Sequence, residues 1–191
     1  MPVGVRRLAA FGIDYLVILV WIALIAAVGF LARSRSGIVS GERATTGDKL
    51  VGHAVSFVAL TLPVVLYFAV AESASRHATL GKRVLGIRVE RIDGEPVSRR
   101  RCLVRSVVKF LPWELAHTVI WHSPGLPFVS GPQPWGVVGY AVALLSAGTY
   151  VATVVLGDGR TPYDHVAGTA VRTALPHSWR YPFNATRVHP R

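Results

Sequence analysis

The sequence predicts an all-α membrane protein: a bundle of four membrane helices with an amphipathic interfacial helix and a small cytoplasmic β-hairpin. Three observations carry that prediction. The 191 residues are 51% hydrophobic and only 16% charged, where an ordinary soluble domain is about 25% charged. Three apolar stretches reach spanning length. The charge is lopsided as well, with 21 basic residues against 10 acidic ones for a net +11. Positive charge gathered between apolar stretches marks water-facing segments of a multi-pass protein, not a nucleic-acid surface.

A spanning helix needs roughly 20 mostly apolar residues, because the hydrocarbon core is about 30 Å thick and a helix rises about 1.5 Å per residue. Residues 8–32 meet that length with one charge, Asp14. The arginines before them resemble the head of a signal peptide. Asp14 and the length of the apolar run argue instead for a retained helix. Residues 50–71 carry no formal charge and contain Pro63, which a membrane helix tolerates when a neighbour serves the carbonyl it frees. Residues 136–156 are uncharged throughout.

The fourth membrane segment, 110–122, follows a basic one. Arg101, Arg105 and Lys109 recur every four residues and share a helical face, with Leu103, Val107 and Leu111 opposite. That pattern predicts a helix lying among the headgroups. Beyond Lys109 the chain turns apolar through Trp121, although Glu114 and His117 interrupt it. Trp113, Trp121 and Trp135 are placed as interface anchors. Residues 72–109 carry ten basic and four acidic residues, so the positive-inside rule assigns them to the cytoplasm with Arg6 and Arg7. The basic C-terminal stretch belongs there too, which requires an even number of crossings. Segments 110–122 and 136–156 then form a hairpin whose Pro-rich link (Pro124, Pro127, Pro132, Pro134) lies outside. The expected location is the cell membrane, with both termini cytoplasmic.

Within 79–109, Leu85, Ile87 and Val89 alternate with polar residues and read as a strand. Asp93-Gly94 is a hairpin signal, and Pro96-Val97 would begin a return strand at an edge. Residues 168–174 form another β-like run able to pair with the first. Residues 1–175 thus make one membrane domain, and 176–191 an irregular tail. Gly81-Lys82 is not a phosphate loop: Arg76 stands where the first glycine should be, and Arg83 where Ser or Thr should follow.

Arg7-Leu-Ala-Ala-Phe-Gly-Ile-Asp14 opens the first span, Thr79-Leu-Gly-Lys-Arg-Val-Leu-Gly-Ile-Arg-Val89 follows the second, and Pro162-Tyr-Asp164-His-Val-Ala-Gly-Thr-Ala-Val171 follows the last. In this order the chain resembles the RDD family of small bacterial integral membrane proteins, named for an arginine and two aspartates that correspond here to Arg7, Asp14 and Asp164. The resemblance runs from about Val5 to Val171. That family usually has a histidine directly before its last aspartate; here Tyr163 holds the position and His165 follows. The resemblance implies a multi-pass protein, with transport as its suspected activity.

Asp14 is the most informative residue. A carboxylate at membrane depth is costly unless it has a partner, a polar cavity or a proton. It either fixes helix packing or relays protons. Arg7, two turns earlier on the same face, is about 10 Å away along the axis. Asp164 reads either as a helix cap or as an ion-pair partner of Arg7. Glu114 and His117 share a face and suit a polar lining; one such pair does not make a metal site. Arg99, Arg100, Arg101, Arg105 and Lys109 are expected to attract anionic lipid, and the small residues Gly139, Ala143 and Ala147 to favour close helix contact, within the chain or in a homo-oligomer. A lone Cys102 excludes an intrachain disulfide. With no nucleophile–base or metal constellation in view, neither an enzyme nor a cofactor is expected. Two functions stay open: a small transporter translocating ions or protons, or a scaffold binding a protein partner or anionic lipid through its basic segment.

Overall fold

The computed structural model describes residues 1–36, 45–123, 133–157 and 159–174. The Pro124–Pro132 part of the predicted link and the tail 176–191 lie outside the described residues.

Helix α1 (Val3–Ser36) is continuous over 34 residues. It takes in Arg6 and Arg7 ahead of the predicted start, because no helix breaker separates them from the apolar run. Leu16, Val20, Leu24 and Phe30 are exposed along it, an apolar surface suited to lipid rather than water. The second span is built from α2 (Thr46–Ser56), a π turn (Phe57–Thr61) and α3 (Leu62–Ser73). Its start is set by a capping box between Thr45 and Asp48. Helix α6 (Pro134–Val155) is the third. Among the described residues, Val3–Ala32, Thr46–Ser73 and Pro134–Val155 are the three helices long and apolar enough to cross a membrane. The protein is an integral membrane protein.

Both prolines inside helices are served from outside. Pro63 offers no N–H to the Ala59 carbonyl four residues earlier, and Trp21 Nε1 on α1 donates to that carbonyl at 2.9 Å. Pro112 does the same to Val108, whose carbonyl accepts from the Tyr150 hydroxyl on α6 at 2.8 Å. Each freed acceptor thus becomes a tie between helices.

Residues 98–122 depart from expectation. In place of an interfacial helix followed by a separate membrane segment there is one helix, α5 (Arg99–His122), 24 residues long and capped by Ser98. Its faces are reversed. Arg105 is 1% exposed, whereas Leu103, Val107 and Leu111 face outward at 43%, 44% and 53%. The basic side finds buried carboxylates inside the bundle, and the apolar side is left for lipid. Helix α5 packs between α3 and α6. The start of α1 and the ends of α3 and α6 meet α5 at its beginning; at the other end Lys49 Nζ donates to the Ser123 carbonyl at 3.2 Å. Gly139 of α6 rests on Val119 of α5 so closely that a Cβ would sit 2.5 Å from a valine methyl. The small-residue ridge is used there for contact within the chain.

The expected β-hairpin is also corrected. The Asp93-Gly94 turn forms, with Gly94 N–H donating to the Arg91 carbonyl at 3.0 Å, but Pro96-Val97 makes no return strand, since Ser98 already caps α5. Strand β1 (Ile87–Arg91) pairs antiparallel with β2 (Thr169–Thr173), with Val89 opposite Val171. Ile87, Val89, Val97 and Cys102 form a core with Ala10 of α1, which seats the sheet against one end of the bundle. Two short helices, α4 (Leu80–Val84) and α7 (Pro162–Ala167), complete that end.

Candidate functional site

Five buried charges alternate in sign across that end. Arg7 of α1 donates to Asp164 Oδ2 at 2.6 Å, Arg105 Nε of α5 to Asp164 Oδ1 at 2.9 Å, and Arg105 Nη1 to Glu72 Oε2 of α3 at 2.5 Å. Lys82 of α4 closes the series on Glu72 Oε1. Arg7 also donates to the Gly159 carbonyl. All five side chains are at least nine-tenths buried, so the chain of pairs joins α1, α7, α5, α3 and α4 by groups that cannot fall back on water. Removing one member of such a network leaves an uncompensated charge, which costs far more than the pair contributes when intact.

Asp164 serves two purposes. As the third residue of α7 it accepts from the Thr161 backbone N–H at 3.2 Å and the Thr161 hydroxyl at 2.7 Å, a capping box; it also accepts from Thr169 at 3.1 Å. Capping and pairing with Arg7 are therefore properties of one carboxylate. Burial alone would raise its pKa; Arg105 and Arg7 beside it, helped by the Thr161 hydroxyl, hold it well below the usual carboxylate range. Burial pushes the Lys82 ammonium below its ordinary value against the pull of Glu72.

Asp14 stands apart from this series. It is 1% exposed and accepts from the Tyr67 hydroxyl at 2.9 Å, the Thr79 hydroxyl at 2.6 Å and the Gly81 backbone N–H at 2.8 Å. Arg7 shares its helix but takes Asp164 instead. Asp14 caps α4 from another helix, which explains the Thr-Leu-Gly-Lys segment: Thr79 supplies a hydroxyl, Gly81 an amide, and Lys82 the cation for Glu72. Gly81 is required by proximity, since a Cβ there would overlap the Ala10 carbonyl.

The remaining basic residues separate. Arg99 and Arg100 are exposed, and Arg101 donates to the Ala167 carbonyl at the end of α7 at 2.7 Å. Arg105 is inside the network and does not face headgroups. Lys109 is half-buried; its ammonium lies 3.4 Å from the Phe68 ring centre and 4.8 Å from that of Phe11.

A second polar group occupies the opposite end. Glu114 Oε1 lies 2.9 Å from His53 Nε2, and Glu114 Oε2 accepts from Thr61 at 2.7 Å. His53 Nδ1 is 3.3 Å from His122 Nε2, and His117 Nδ1 is 3.9 Å from Glu114 Oε2. Among the described residues no group of three or more His, Cys, Asp or Glu is arranged to hold a metal ion. Sequence reasoning missed the roles of Glu72, Lys82 and His122. The one signal for Glu72 was its position as the first charge after the second span.

No curated protein and no solved structure matches this chain. The family model of the RDD family matches residues 2–168, which takes in Arg7, Asp14 and Asp164 together with the segments that hold them. The chain belongs to the RDD family.

Proposed function

We propose that this protein is a small transporter that translocates ions or protons, with α5 crossing the membrane as the helix that lines the route. The observation supporting this reading is the run of ionisable side chains along α5, none of them exposed: Arg105 and Lys109 toward the network end, Glu114 and His117, with His122, toward the other. Ionisable groups at membrane depth are expensive and mark ion pathways and proton relays. The Glu114–His53–His122 contacts form a hydrogen-bonded series of exchangeable sites at one end. The charge network holds the other end. On this reading Asp14, with three donors, anchors the packing, and Glu114 carries the exchange. The basic excess of 72–109 sets the network at the cytoplasmic face, and a homo-oligomer would enlarge the route that four helices leave narrow.

The test is proton and monovalent-cation flux in proteoliposomes. Glu114→Gln is expected to lower flux at least tenfold with little change in thermal stability, whereas Asp14→Asn lowers stability first. Full flux in Glu114→Gln, or none from folded wild type, overturns the reading. The scaffold alternative is favoured by one observation, the exposure of Arg99 and Arg100 at the start of α5; it requires that replacing both with Gln weaken recovery of a partner or of anionic lipid.

A further inference from the structure

A cavity of about 350 Å³ opens among α1, α3, α5 and α6, within the range of small-molecule sites. Its walls are almost wholly apolar. Ala116, Ala143 and Ala147 leave the room, and Leu8, Leu144 and Val151 at its rim are exposed, so it opens sideways to the hydrocarbon between α1 and α6. Its cations lie at the end where the charge network sits, while Ile18, Val64 and Ala116 line the part nearer the middle of the bundle.

The charges at that end do not balance. Arg7, Lys82 and Arg105 have carboxylate partners. Lys109 touches none: its contacts are with the rings of Phe11, Phe68 and Phe110, and Glu72 and Asp14 act on it only through space. Aromatic faces reduce the cost of removing an ammonium from water but bring no net negative charge, so an anion in direct contact with Lys109 would stabilise it further.

From the apolar groove, its lateral opening and a Lys109 ammonium that no carboxylate touches, we propose that the cavity holds an anionic phospholipid, with one acyl chain in the groove and its phosphate at Lys109. A lipid in the leaflet on the network side has this polarity, head toward that end and chain toward the midplane. Phosphate suits lysine, which acts as a compact point charge. This site differs from the exposed Arg99 and Arg100, which meet headgroups only at the surface, and it does not depend on translocation: a protein without flux can still hold the lipid.

Trp113 lines the cavity and allows a direct reading. The full-length protein is reconstituted in bilayers containing phosphatidylglycerol or phosphatidylcholine with identical brominated chains, and tryptophan quenching is compared between wild type and Trp113→Phe to isolate Trp113. At equal mole fraction, phosphatidylglycerol is expected to occupy the site at least fivefold in preference to phosphatidylcholine. Lys109→Met should remove the preference, Lys109→Arg should keep it and so verify the fold, and Ala147→Leu should reduce quenching by both lipids. Equal occupancy by the two lipids overturns the proposal. So does a preference that survives Lys109→Met but disappears when Arg99 and Arg100 are replaced by Gln, or occupancy by a free brominated fatty acid that phosphatidylglycerol does not displace.

Discussion

Asp164 shows at the scale of one residue how much an acid can organise. Five donors converge on its two oxygens, two of them from buried arginines. Asp164→Asn keeps the shape and removes the charge, leaving Arg7 without a counter-ion and Arg105 with only Glu72. The expected cost is about 3–5 kcal/mol, read as a fall in the unfolding midpoint in detergent. Asp164 also predicts an acid response. Its folded pKa is lowered, so above its ordinary value of 3.8 its full contribution to stability is present. As pH falls below that value the unfolded chain takes up the proton first, and stability is lost progressively toward the folded pKa. Unfolding midpoints measured from pH 6 down to pH 3 should fall more steeply in wild type than in Asp164→Asn; parallel curves would contradict this assignment.

At the scale of the element, two prolines act through the carbonyls they free. Trp21→Phe and Tyr150→Phe each remove one donor and are expected to cost about 1 kcal/mol. The coupling is the sharper test. With Pro63→Ala the Ala59 carbonyl regains a partner in its own helix, so Trp21→Phe should cost measurably less in that background. Purely additive costs would mean the indole bond does not answer to the proline. Pro63 was legible as a span residue from sequence, and so was the need for a donor; the donor's identity was not, because Trp21 is 38 residues away. The same separation hid the orientation of α5. A basic stripe facing an apolar one fits headgroups or buried acids equally well, and the acids that decide, Glu72 and Asp164, lie 33 and 59 residues from Arg105. The three apolar spans, the β1 alternation and the importance of Arg7, Asp14 and Asp164 could be read directly, since they depend on local composition or on a short motif. Of the long-range pairings, Arg7 with Asp164 and β1 with β2 were legible as options; those of Glu72, Lys82 and Arg105 were not.

At the scale of the whole molecule, neighbouring helices run antiparallel, with the charge network at one end and the Glu114–His53–His122 group at the other. If α5 crosses as proposed, its two ends face opposite compartments. Single cysteines at Glu95 and Gln133, in a Cys102→Ala background, should then react with a membrane-impermeant maleimide from opposite sides of oriented vesicles, and labelling of both from one side would remove the fourth crossing.

The alternating charges also impose an order on biosynthesis. Arg7 is translated 157 residues before its partner Asp164. Domains generally form while synthesis proceeds from the N-terminus, yet here Arg7 waits for its counter-ion until α6 has been translated. Glu72 and Arg105 can meet earlier, but they leave Arg7 unsatisfied. The bundle is thereby held open until the segment carrying Asp164 emerges, and a chain broken off before Thr161 would carry the three apolar spans and still lack the group that closes it. Synthesis of the segment around Asp164, rather than insertion of the apolar helices before it, becomes the event that commits the fold.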